Sequence, residues 1–205
     1  MMLVFWKQKL VFLAVPKTGT TALEAVLTPH ASAAILDPPG QKHTSASRYR
    51  KSLSGFFEQR GRHPMQTIAV MREPIDWLGS WYRYRRRPTL IGKPNSTDGL
   101  SFDEFVQAWL SQDVPPFADV GSQANFLNND DGTLGVDQLY SYENFEQLVE
   151  FWQKTLNIQM VLPKRNVSPV LELQLNAALR SRLQSERPRE FDLWNRLQTN
   201  CPLTP

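Results

Sequence analysis

The stretch Leu10–Thr21, LVFLAVPKTGTT, constrains the fold more than any other part of the chain. Apolar residues run unbroken from Leu10 to Val15, as in a strand buried on both faces. Pro16-Lys17-Thr18-Gly19-Thr20-Thr21 then interrupts the run, and Ala22-Leu23-Glu24-Ala25-Val26-Leu27 resumes with a helix-compatible pattern. A strand feeding a short polar loop that opens a helix gathers backbone N–H groups, a helix dipole, hydroxyls and one lysine at a single point. Such a point suits a phosphate. The same residues also suit an ordinary strand–turn–helix junction capped by threonine.

Further strands are expected at Ala33–Leu36, Gln66–Met71, Gln138–Ser141 and Ile158–Val161. Leu3–Trp6 is expected to pair with Leu10–Val15 as a hairpin across Lys7-Gln8-Lys9. Helical patterns cover Thr20–Leu27, Ser45–Gln59, Pro74–Arg86, Ser101–Leu110, Asn144–Thr155, Val170–Ser185 and Glu190–Leu197. Ser101-Phe102-Asp103-Glu104 reads as a capping box. Short apolar strands alternating with helices predict an α/β fold, a mostly parallel central sheet of about five strands flanked by helices. In such sheets ligands sit beyond the C-terminal strand ends. Pro16–Thr21, Asp37–Thr44, Arg72–Pro74, Tyr142–Glu143 and Pro163–Ser168 are the segments that follow strands.

With 205 residues, 41% of them hydrophobic and 21% charged, the chain reads as one globular domain, residues 1–205. A formal net charge of +3 suits an anionic substrate without demanding nucleic acid. The single cysteine, Cys201, excludes an internal disulfide. No stretch reaches the ~20 apolar residues of a membrane span. The apolar N-terminus lacks a cleavage site and runs into the polar loop, so it reads as structure rather than as a signal peptide. A soluble, cytoplasmic protein is expected, and Asn95-Ser96-Thr97 and Asn166-Val167-Ser168 are then chance sequon matches.

A Walker-type loop needs its lysine after the second glycine of G-x-x-x-x-G-K-[ST]. Here Lys17 precedes Gly19 and no glycine stands nearby before it, so the loop can cradle one phosphate rather than wrap two. A second element follows the Gln66–Met71 strand: Arg72-Glu73-Pro74-Ile75-Asp76-Trp77-Leu78-Gly79-Ser80. Pro74 can open a helix, and Ser80 lies about two turns beyond Arg72. Arginine offers a forked donor to phosphate and serine a hydroxyl. The plainer reading pairs Arg72 with a neighbouring carboxylate and makes Ser80 a small packing residue.

PKTGTT after the first buried strand and R-x-P-x-x-x-x-x-S after a later one resemble the two signature segments of 3′-phosphoadenosine 5′-phosphosulfate-dependent sulfotransferases, closer to the carbohydrate and bacterial branch. Ser141-Tyr142-Glu143, Pro163–Ser168 and Phe191-Asp192-Leu193-Trp194 are similar to further segments of that family. The resemblance implies a P-loop-like three-layer fold. Within Pro16-Lys17-Thr18-Gly19-Thr20-Thr21 it implies a loop for the donor's 5′-phosphosulfate. Arg72 and Ser80 would take the 3′-phosphate, and Arg165, Asn166 and Ser168 would lie in a loop closing over the nucleotide. The product would be adenosine 3′,5′-bisphosphate, the acceptor a small molecule or carbohydrate with a hydroxyl or amine, and no metal would be required.

Lys17 would neutralise the leaving phosphate oxygen as charge develops there. Of the three histidines, His30 and His63 read as surface residues. His43 stands on the ligand-bearing edge as the candidate general base, with Glu24 as a substitute and Lys42 as a contact for an anionic acceptor. His43 could equally begin the following helix. Two other classes fit parts of the chain. One is a small-molecule or nucleoside kinase. The other is a non-catalytic module binding a nucleotide or an anionic polymer, for which Arg83-Tyr84-Arg85-Arg86-Arg87 is the basic run; that run also suits a solvated helix C-terminus.

Overall fold

A computed structural model describes residues 1–163 and 173–205. Strands β1 (Met2–Phe5) and β2 (Leu10–Leu13) form the expected hairpin, and helix α1 (Thr20–Leu27) follows the polar loop. Then come β3 (Ala33–Ile35), α2 (Pro39–Lys42), α3 (Ala46–Arg48) and α4 (Ser54–Phe57). β4 (Gln66–Met71) leads into α5 (Pro74–Arg85), followed by α6 (Phe102–Leu110) and α7 (Gln123–Leu127). β5 (Gln138–Ser141), α8 (Phe145–Leu156), α9 (Ala177–Glu186) and α10 (Pro188–Thr199) complete the described elements.

The five strands form one sheet in the order β3-β1-β2-β4-β5. β2, β4 and β5 run parallel, whereas β1 is antiparallel to both β2 and β3. The sheet is therefore mixed, not mostly parallel as the sequence suggested. The cause is the four-residue turn Trp6–Lys9: a link that short can only reverse the chain, and the reversed strand then carries β3 on its outer edge. Alternate residues of the strands feed two cores. Val11, Leu13, Ala69, Met71 and Leu139 pack with Tyr49, Leu127, Leu193 and Leu197 on one face. Leu10, Phe12, Ile68, Val70 and Tyr140 pack with Leu23, Leu27, Leu148 and Trp152 on the other. Burial on both faces explains why β2 is an uninterrupted apolar run.

Ile158–Val161 is not a strand. Asn157 ends α8 in the left-handed conformation, and the chain turns back on its own helix, where the Gln153 side chain accepts the Met160 N–H at 3.0 Å. Met160 is buried singly, without a ladder. The helix expected over Ser45–Gln59 is interrupted by a π-helical turn at Tyr49–Leu53 and ends at Phe57. That expected over Val170–Ser185 begins at Ala177, its first residues lying partly outside the described ones. α2 and α7 fall where loops were expected. The third cluster, Trp77, Leu78, Tyr82, Phe105, Trp109 and Leu183 among others, joins α5, α6 and α9. It fixes α5, and with it the Arg72–Pro74 segment that follows β4.

Candidate functional site

The loop between β2 and α1 is held by its carbonyls. The His43 Nδ1 donates to Ala14 O at 2.9 Å, the Thr18 hydroxyl to Val15 O at 2.8 Å and Trp77 Nε1 to Pro16 O at 2.8 Å. Arg72 Nη1 donates to Lys17 O at 3.3 Å. Four successive peptides are thus oriented by side chains from α2's end, the loop itself, α5 and the end of β4. Among the described residues no acceptor takes the backbone N–H groups of Thr18, Gly19, Thr20 and Thr21. α1 has no side-chain cap either. Unshared N–H groups at the positive end of a helix dipole attract an anion. The Thr18 hydroxyl is buried and already committed to Val15, so only its N–H faces that task.

Lys17 and Gly19 both sit in the left-handed region, at φ 67° and 73°. For a lysine this costs about 1–2 kcal/mol, sustained by the bonds to the carbonyls on either side of it. Gly19 is required twice over, because a Cβ there would also lie 3.0 Å from the Tyr142 ring.

Lys17 Nζ lies 4.1 Å from the centre of the Tyr84 ring and 5.6 Å from that of Trp81. Arg87 lies over the same Tyr84 ring at 4.5 Å. Burial lowers the Lys17 ammonium to about 8, and Arg87, Arg72 and Arg83 push in the same direction. Four cations thus converge where the only nearby carboxylate contact among the described residues is Asp76. Asp76 is shared: Arg72 Nε donates to it at 2.6 Å and Arg83 Nη2 at 3.3 Å.

Arg72 has further partners. Its guanidinium lies 4.3 Å from the centre of the Tyr142 ring, and Nη2 also reaches Asp76. Of the guanidinium's five N–H groups, one on Nη1 and one on Nη2 carry no bond to a described residue. The plain expectation of a neighbouring carboxylate therefore holds, and donors remain for a ligand. Ser80 is 7% exposed and stands on the α5 face shared by Asp76 and Arg83, one turn from each. Pro74 occupies the first turn of α5, whose N-terminus is capped by the Glu73 carboxylate accepting from Asp76 N–H at 2.6 Å.

His43 closes α2 rather than opening the next helix. Because a carbonyl can only accept, Nδ1 must carry the proton, which leaves Nε2 as a basic lone pair in the neutral ring. Burial holds its pKa below the usual histidine value. Glu24, the substitute base, pairs with Lys42 at 3.1 Å. His30 and His63 are exposed, the latter against the Trp6 ring in a tilted arrangement. Arg165, Asn166 and Ser168 lie outside the described residues.

Asp76, Trp77 and Gln123 had no role assigned in the sequence analysis, and Tyr84 entered it only within the basic run. Tyr142 was signalled by its place after a strand and by the family resemblance of Ser141-Tyr142-Glu143. Arg85 and Arg86 are not simply solvated: Arg85 donates to Pro116 O and Asp119 O, and Arg86 to the Tyr82 hydroxyl at 2.8 Å. Among the described residues no helix is long and apolar enough to cross a membrane, and no cluster of histidines, cysteines and carboxylates is arranged around a metal position. No family model, curated protein or solved structure matches the chain.

Proposed function

We propose that this chain is a sulfotransferase of P-loop-like fold, moving a sulfuryl group from 3′-phosphoadenosine 5′-phosphosulfate to a hydroxyl or amine acceptor. The observation that carries the reading is the junction of two anion-binding elements: Arg72 Nη1 bonds Lys17 O at 3.3 Å, beside a loop whose N–H groups are unshared. One element alone would serve many phosphates. Two, drawing Lys17 and several arginines together around Asp76, suit a nucleotide phosphorylated at both ends of its ribose.

The donor supplies an activated sulfuryl group with a phosphate as leaving group. Gly19, Thr20 and Thr21 would hold the 5′-phosphate through backbone N–H groups and hydroxyls. Arg72 would take the 3′-phosphate with its two remaining N–H groups, assisted by Ser80. The His43 Nε2 would accept the acceptor's proton as its oxygen or nitrogen bonds sulfur. Lys17 would leave the Tyr84 ring and donate to the bridging oxygen as the sulfur–oxygen bond breaks, neutralising the charge that develops. The anchored Nδ1 keeps the imidazole in the tautomer this needs. A small-molecule or carbohydrate acceptor fits the ringed surface of Trp81 and Tyr84.

The test is transfer of labelled sulfate from this donor to pooled phenol, sugar and amine acceptors, with Lys17→Ala as control. Label transferred by the wild type and lost in the variant supports the reading. Transfer of phosphate from ATP with Mg²⁺, and none of sulfate, contradicts it.

A further inference from the structure

β4 ends at Met71, whose carbonyl accepts the last ladder bond from Tyr142 N–H at 2.8 Å. One residue on, the Arg72 peptide groups have left the sheet and need other partners. Both are found on one side chain. Gln123 Oε1 accepts the Arg72 N–H at 3.0 Å, and Gln123 Nε2 donates to Arg72 O at 2.9 Å. The carboxamide thereby extends the edge of the sheet by one residue, a task requiring an acceptor and a donor on the same group.

Gln123 is fully buried and is itself held in place. It is the first residue of α7, whose preceding Ser122 accepts from Asn125 N–H at 3.1 Å and donates to Glu190 Oε1. Glu190, in the first turn of α10, also accepts from Ala124 N–H at 3.2 Å. α7 is thus tied to α10 at its start, and its side chain reaches the backbone of the arginine next to the loop. Fixing the Arg72 peptide fixes the direction in which its side chain leaves. Asp76, the Tyr142 ring and Lys17 O then set the guanidinium at the end of that lever.

We infer that Gln123 is a positioning residue that gives the site its selectivity for a nucleotide carrying a 3′-phosphate, by fixing the backbone from which Arg72 reaches it. This rests on the proposed function. Because the side-chain hydrogen bonds of Gln123 among the described residues go to the Arg72 backbone, its loss should weaken recognition of the 3′-phosphate and spare recognition of the 5′-phosphate. A residue that merely holds the fold together would weaken both alike.

The experiment is calorimetric titration of wild type, Gln123→Met and Gln123→Glu with adenosine 3′,5′-bisphosphate and, separately, with adenosine 5′-monophosphate. Gln123→Met should lower affinity for the bisphosphate about tenfold and change that for the monophosphate less than about twofold. Gln123→Glu keeps the acceptor oxygen and loses the donor, so it should fall between, and it serves if the methionine variant does not fold. Equal losses for both ligands, or none for either, overturn the inference while leaving the functional reading intact. Wild-type protein that fails to bind the bisphosphate overturns both.

Discussion

Lys17 and His43 both lie at the C-terminal end of β2, and burial lowers the pKa of each, yet their surroundings differ in kind. Lys17 stands among arginines and aromatic rings, with no carboxylate of its own. His43 is bonded through Nδ1 to Ala14 O and lies near the Lys42–Glu24 pair, where opposite charges offset one another. One side of the strand is a cationic pocket held by packing, in which Asp76 pairs with two of the arginines. The other is a balanced, oriented imidazole. Burial therefore serves two purposes: it keeps the lysine next to charge it would otherwise flee, and it keeps the histidine neutral. A leaving group and a proton acceptor ask for these two different environments.

Removing the cation should have the largest effect. Lys17→Ala is expected to lower kcat about 1,000-fold, as when one donor to a developing charge is lost, with a much smaller change in donor affinity. Steady-state and binding measurements on one preparation check this. His43→Ala should lower kcat about 100-fold and leave the dissociation constant of adenosine 3′,5′-bisphosphate unchanged. Weakened nucleotide binding at normal kcat would erase the contrast between the two sides.

The same contrast sets a pH profile. In the proposed reaction His43 would work deprotonated, so kcat/KM should rise as pH climbs through its lowered pKa, below the ordinary value near 6.5. Lys17 would work protonated, so kcat/KM should fall as pH passes about 8. Lys17→Arg should move the basic limb upward and leave the acid limb in place. Smallest is the effect on the loop itself. Gly19→Ala imposes a left-handed alanine and a contact with Tyr142, and should lower stability by about 1–2 kcal/mol, read as a drop in Tm.

The parts of the fold that were legible in the sequence are those whose signal is local. β4 carries the apolar run Ile68–Met71 and β5 the pair Leu139-Tyr140 between polar residues, and both strands lie where expected. The capping box at Ser101 is formed by Ser101 and Glu104 as read. Ile158–Val161 has the composition of a strand but pairs with no strand among the described residues, which composition cannot reveal. The π-turn at Tyr49 accompanies a bond from its hydroxyl to Glu58, beyond the reach of helical periodicity. In the site, PKTGTT and Arg72 were visible because a loop or a strand end carries them. Gln123 was not: it acts on a residue 51 positions away and looks like any loop glutamine. Arg85 likewise finds its carbonyl partners more than thirty residues on, where the charge run suggested an anionic polymer or solvent.

The central claim is that the Lys17 loop and Arg72 together form a site for two phosphates of one nucleotide. The most direct test is titration of the wild-type protein, without metal, with adenosine 3′,5′-bisphosphate and in parallel with ATP plus Mg²⁺. The account predicts saturable binding of the bisphosphate at least about tenfold tighter than ATP, and loss of that preference in Arg72→Ala. ATP binding more tightly than the bisphosphate, or a preference unchanged in Arg72→Ala, would contradict it.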